Sequence, residues 1–99
     1  MSEIVNKYNN GKIYKIWNIS NDEVYVGSTC NPLHKRMSYH RSVVNHPKYE
    51  HRNLYKMMDE VGIQNFNIEL IEDFPCNNKD QLRRREGHFI RDGNFKHES

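Results

Sequence analysis

The sequence predicts an α+β fold: a small three-stranded central β-sheet flanked by helices, in the order β-β-α-α-β-α. Three observations carry the prediction. Two short apolar runs, Lys12–Asn18 and Glu23–Thr29, flank the polar break at 19–22 and are rich in aromatic and β-branched residues, a hairpin signal. Residues 66–74 alternate, with Phe66, Ile68 and Leu70 on one face and Asn67 and Glu69 on the other, as a half-buried strand does. Between and after these runs, apolar residues recur at helical spacing in three segments. The 99 residues suffice for one domain with a small core.

Taken in order, residues 1–10 read as a loosely docked lead-in to a single domain over 11–99. In the first strand Tyr14 and Ile16 share one face, while Ile13 and Trp17 share the other. Apolar residues on both faces predict a central strand covered on both sides. The second strand contains Gly27. A strand glycine marks close approach of a backbone or ligand, or permits a bulge before the loop at 28–31. Asn31-Pro32 predicts a helix start, with Asn31 as the cap and Pro32 first in the helix. That helix runs over Pro32–Val44, with Leu33, Met37 and Val44 in its apolar stripe and His40 in line with them. Residues 46–52 are a polar loop containing Pro47. A second helix over Asn53–Val61 turns Leu54, Met57, Met58 and Val61 to the core, and Gly62 stops it. Pro75 ends the third strand, where Glu69 and Glu72 are expected to be solvated. Asn77 or Asn78 caps the last helix, which runs to Arg91 with Leu82, Glu86, Phe89 and Ile90 on its core face.

Composition narrows the class. Fifteen Lys and Arg against 13 Asp and Glu give a net charge of +2, too mild to identify a nucleic-acid binder alone. Cys30 and Cys76 form no C-x-x-C pair, so both are expected as free thiols in a reducing compartment. No apolar run approaches the roughly 18 residues of a membrane span, and no signal peptide is expected. An intracellular protein, cytoplasmic or nuclear and without a membrane partner, is expected.

Several side chains point to chemistry. With an even-length hairpin loop, Tyr14 and Tyr25 fall on one face of the sheet. Arg36 and His40, four apart on a helix, project from one side. Two tyrosines, an arginine and a histidine thus gather on one small surface. A histidine in an apolar stripe is also what a packed, hydrogen-bonded core residue looks like. Glu86 puts a carboxylate in an apolar stripe, where it must be paired, metal-bound or protonated. A buried ion pair, for instance with Arg36, and a metal ligand both stay open. The basic residues on the helices include Lys35, Arg36, Arg41, Arg52, Lys56 and Arg83-Arg84-Arg85. Three consecutive arginines cannot all serve one surface. Those flanking Arg36 and Glu86 are the candidates for phosphate contacts.

This ordered set resembles the GIY-YIG nuclease domain over roughly residues 11–90. Lys12-Ile13-Tyr14 is similar to its first motif, with Lys in the glycine slot. Tyr25-Val26-Gly27 is similar to its second, with Val for Ile. Arg36, His40 and Glu86 match the family's arginine, histidine and glutamate. The resemblance implies the same fold and a metal-dependent DNA endonuclease that hydrolyses phosphodiester bonds. It implies one Mg²⁺ or Mn²⁺ held by Glu86, with Arg36 stabilising charge on the scissile phosphate. Tyr14 becomes the general base, assisted by His40, and Tyr25 orients the water or phosphate; the assignment of the base between the two tyrosines stays open.

DNA contacts are expected from Gly27, Lys35 and Arg41. Asn94 is the nearest candidate for the asparagine that relatives carry beyond the glutamate. No helix-turn-helix or zinc finger is present, so sequence preference is expected from loops such as 45–52, a scaffold protein or a separate DNA-binding domain. Two other readings stay open: a non-catalytic nucleic-acid-binding module on a nuclease fold, and a nuclease subunit active only with a scaffold.

Overall fold

Asn18 starts the turn that makes the hairpin. Its Oδ1 accepts from the Ser20 and Asn21 amides at 2.8 and 3.1 Å, and Asn21 Oδ1 accepts from the Glu23 amide at 2.9 Å. These side-chain bonds replace a backbone turn. They set β1 (Lys12–Asn18) antiparallel to β2 (Val24–Thr29), in an unbroken register from Trp17 opposite Val24 to Lys12 opposite Thr29. The computed structural model describes residues 6–49, 52–93 and 95–97. Within them follow α1 (Leu33–Val43), α2 (Asn53–Val61), β3 (Phe66–Asp73), α3 (Lys79–Gly93) and β4 (Lys96–His97).

The strand order is β3-β1-β2-β4, with β1 central as its two apolar faces predict. The sheet is four-stranded and mixed, which corrects the expected three strands. Lys96 and His97 lie parallel to Tyr25 and Val26. A two-residue strand has no alternation to read, and it is anchored by a contact of 2.6 Å between Lys96 Nζ and the Glu23 carboxylate.

Each sheet face builds its own core. Tyr14, Ile16 and Tyr25 pack with Met37 of α1, Leu54, Tyr55 and Met58 of α2, and Phe66. On the opposite face Ile13 and Val26 pack with Leu82 of α3 and Cys76. A β-bulge separates two registers of β3: Ile13 faces Glu72 while Tyr14 faces Leu70. The extra residue interrupts the ladder only beyond Leu70, so Phe66, Ile68 and Leu70 share one face as predicted. Leu70 is nonetheless 45% exposed, and Ile71 packs on the opposite face against the second core. Glu72, expected to be solvated, is clamped by Arg85 through Nε–Oε1 and Nη2–Oε2 contacts of 2.6 and 2.7 Å. That fork holds the Glu72 carboxyl below its ordinary range.

The helix ends differ in how closely they follow expectation. Pro32 takes the cap place of α1 in extended conformation and makes no side-chain cap bond. The Asn31 amide donates instead to Thr29 Oγ1 at 3.1 Å. Gly62 stops α2 as predicted, with φ 99° and its amide on the Met58 carbonyl at 2.9 Å. Asn78 caps α3: its Oδ1 accepts from the Gln81 amide at 3.0 Å, and Gln81 Oε1 accepts from the Asn77 amide at 2.8 Å.

Residues 6–10 are docked rather than loose. Asn6 Nδ2 donates to the Asn77 carbonyl at 2.8 Å, and the Cys76 amide donates to the Tyr8 carbonyl at 2.9 Å. Gly11 completes the contact; a Cβ there would lie 2.5 Å from the Phe74 carbonyl oxygen. Cys30 and Cys76 are both free, as expected. Among the described residues, no helix is long and apolar enough to cross a membrane.

Candidate active site

Tyr14 lies in the central strand, fully buried, with Gly27 directly opposite in the pairing. A glycine opposite a buried ring leaves it room. Helix α1 crosses this face and delivers Arg36 and His40 one turn apart. Arg36 Nε–H donates to the Tyr14 hydroxyl oxygen at 2.9 Å, and His40 Nε2 lies 3.4 Å from the same oxygen. The other ring nitrogen, Nδ1, is 2.8 Å from the Tyr55 hydroxyl of α2. Arg36, Tyr14, His40 and Tyr55 therefore form a row of polar groups, the last three each no more than 2% exposed.

Tyr25 shares the Tyr14 face, as the parity of the hairpin predicts. Burial first, then the Glu23 carboxylate, push its hydroxyl above the ordinary 10.0, against a pull from Lys96. It stays protonated at neutral pH.

Glu86 comes from the opposite face of the sheet. It is 6% exposed, and its Oε2 accepts from Ser28 Oγ at 3.2 Å. Its Oε1 is 3.1 Å from His97 Nε2. Between the two faces, at the end of β2, opens a cleft of about 670 Å³ lined by Ser28, Arg36, Arg52, Arg83, Glu86 and His97 among others. Arg36 and Glu86 thus share one cleft, and Tyr14 and His40 lie behind Arg36.

The expected DNA contacts divide differently. Gly27 is buried beneath the sheet pairing, Lys35 and Arg41 are exposed on α1 outside the cleft, and Asn94 lies outside the described residues. The cations that do line the cleft besides Arg36 are Lys7, Arg52, Lys79 and Arg83. Of the three consecutive arginines, Arg83 reaches the cleft while Arg85 holds Glu72.

Sequence reasoning missed Tyr55, Ser28 and His97. Tyr55 was available as the residue three before Met58, on the flank of the α2 stripe. Ser28 and His97 carried no signal, because their contacts with Glu86 bridge 58 and 11 positions of chain. It also missed Tyr39 and Tyr49; the neighbouring Tyr49 hydroxyl, more than burial, pushes the Tyr39 hydroxyl above its ordinary value. Arg36 and Arg52 lie over these two rings at 5.1 and 4.7 Å.

The profile of the GIY-YIG catalytic domain matches residues 10–98. The chain belongs to the GIY-YIG catalytic-domain family. Its fold is similar to that of the catalytic domain of the homing endonuclease I-TevI, with a TM-score of 0.66 and 28% sequence identity. That match covers 85% of this chain and 88% of the other. The chain is also 34% identical, over 82 residues, to the uncharacterized protein 019R of Invertebrate iridescent virus 6. That match takes in 83% of this chain but spans only 29% of the viral protein. In this GIY-YIG domain the two signature tripeptides lie on adjacent strands of the hairpin and meet at one pair, where the glycine that ends the second faces Tyr14.

Proposed function

We propose that this GIY-YIG domain is a divalent-metal-dependent DNA endonuclease, an intracellular enzyme that hydrolyses phosphodiester bonds. The observation that supports it most directly is the placement of Arg36: it lines the cleft with Glu86 and holds the Tyr14 hydroxyl at 2.9 Å. The similarity to the catalytic domain of a homing endonuclease supports DNA as the substrate. Phosphodiester hydrolysis needs an activated water and stabilisation of the charged phosphoryl centre. Arg36 supplies the positive charge. Tyr14 takes the proton from the attacking water, and His40, in line behind it, takes up that proton in turn. Because Tyr14 is fully buried, the scissile phosphate must draw Arg36 toward itself and expose the phenol to one water. Tyr25, held protonated, orients water or phosphate rather than acting as base.

Glu86 would hold one Mg²⁺ or Mn²⁺. Among the described residues, no three His, Cys, Asp or Glu side chains cluster as a metal cage. A single carboxylate beside the Ser28 hydroxyl fits a hard cation that keeps several waters and takes phosphate oxygens as its other ligands. When bound, such an ion neutralises charge on the phosphoryl and leaving oxygens. The cleft cations, with Lys35 and Arg41 on α1 and Asn94, contact the DNA backbone. Sequence preference comes from a scaffold protein or a separate DNA-binding domain.

The test is plasmid cleavage by the purified protein in Mg²⁺ or Mn²⁺ and in EDTA. Nicking or cutting with metal and none in EDTA is expected. Undiminished cleavage in EDTA overturns the metal role. Binding without cleavage on duplex, branched and single-stranded DNA supports a non-catalytic module instead.

A further inference from the structure

We propose that Tyr55 is a positioning residue that fixes which nitrogen of His40 carries the proton, so that Nε2 meets Tyr14 as an acceptor. The inference rests on the reading of Tyr14 as the base. A neutral imidazole has one donor nitrogen and one acceptor nitrogen. In His40 each nitrogen faces a phenol: Nδ1 the Tyr55 hydroxyl at 2.8 Å and Nε2 the Tyr14 hydroxyl at 3.4 Å. The Tyr14 oxygen already receives Arg36 Nε–H. In the proposed arrangement the chain has one donor per bond and runs in one direction. Arg36 donates to Tyr14, Tyr14 O–H donates to Nε2, and Nδ1–H donates to Tyr55. The opposite tautomer turns an N–H toward Tyr14, and that nitrogen cannot take a proton.

Geometry makes Tyr55 the fixed point of this chain. Its bond to His40 is the shorter of the two, and its own ring is clamped. It meets His40 edge-on at 5.6 Å between centroids and Tyr49 at 6.2 Å, and is 2% exposed. An apolar residue would fill this core position of α2 equally well; the hydroxyl is the part that packing does not require. During the reaction the water O–H bond breaks as the water oxygen bonds phosphorus, and the proton goes to Tyr14. The proton that Tyr14 releases goes to Nε2. The resulting imidazolium donates from both nitrogens, to Tyr14 and to Tyr55, and no oxidant or reductant enters.

The experiment compares the wild-type domain with Tyr55→Phe, which keeps the ring. Nitrogen-15 NMR of the His40 ring, without DNA or metal, reads the tautomer. Single-turnover cleavage and fluorescence anisotropy read rate and DNA affinity. The wild type is expected to hold the Nδ1–H tautomer and Tyr55→Phe to shift toward Nε2–H. By analogy with the outer partners of metal-bound histidines, cleavage should fall roughly 10–100-fold, with DNA affinity unchanged. An Nε2–H tautomer in the wild type overturns the proposal even if Tyr55→Phe fails to fold. An unchanged tautomer and rate in Tyr55→Phe overturns it as well. A wild type that holds Nδ1–H and shifts on substitution, yet never cleaves DNA, supports the positioning role and sinks the nuclease reading separately.

Discussion

The two faces of the sheet carry the two halves of the site under opposite conditions. On the α1–α2 face, Tyr14, His40 and Tyr55 are dry, and three elements hold them at bonding distance. On the α3 face, Glu86 opens onto the cleft and meets His97, whose side chain is 46% exposed. A buried polar row is stiff because each member is costly to leave unsatisfied. Glu86 is itself buried, but its partner His97 is half exposed, so an ion or water reaching through the cleft can take that partner's place. The contrast suits the proposed roles: a proton relay gains from a fixed geometry, and an ion-holding carboxylate needs access. Arg36 joins the halves, with its side chain on Tyr14 and on the cleft wall.

The largest expected effect falls on the open half. Glu86→Ala should leave no cleavage above background and keep DNA affinity, because removing a negative charge cannot weaken phosphate attraction directly. Loss of both together, or of the fold by circular dichroism, would make Glu86 a structural anchor and erase the contrast between the faces. Next comes the bridge. Arg36→Ala should slow single-turnover cleavage by on the order of 10²–10³-fold and weaken binding much less, as its contact strengthens in the transition state. Equal losses in rate and affinity would reduce it to a phosphate anchor.

Tyr25→Phe should be milder. A neutral hydrogen bond is worth about 0.5–1.5 kcal/mol, so the rate should stay within about tenfold. A larger loss would move the base to Tyr25.

The smallest effect concerns what ties α3 to β3. Arg85 depresses the Glu72 pKa, so the pair stabilises the fold above the carboxyl's unfolded value. That contribution is lost as pH falls through the lower folded value. The gap in melting temperature between wild type and Arg85→Ala should be present at neutral pH and close in acid. A gap that does not change with pH would mean that Arg85 acts by packing alone, for instance on Phe89, 4.9 Å beneath it.

Much of the α1–α2 face was legible in the sequence. Strand parity fixes Tyr14 beside Tyr25, and the four-residue spacing fixes Arg36 beside His40. Glu86 announced itself as a charge in an apolar stripe. The parts that stayed hidden depend on contacts between elements. Tyr55 reads as an unremarkable helix residue until α2 packs against α1. Leu70 sits on the face that the alternation gives it, opposite Tyr14, yet is left exposed, and nothing local in the strand marks the bulge that follows it. β4 is too short for any periodic signal, so His97 and the fourth strand emerged only from the tertiary structure.

The central claim, that the dry half handles the proton, is tested most directly by the pH dependence of single-turnover cleavage in wild type and Tyr14→Phe. The substitution keeps the ring's packing and removes only the hydroxyl. The wild-type rate should climb with pH as the phenol ionises. In Tyr14→Phe the rate should fall by roughly 10²–10⁴-fold, the climb should vanish, and stability should be nearly unchanged. A Tyr14→Phe protein that cleaves within a few-fold of wild type, with the same pH profile, would contradict the account and pass the base to Tyr25 or His40.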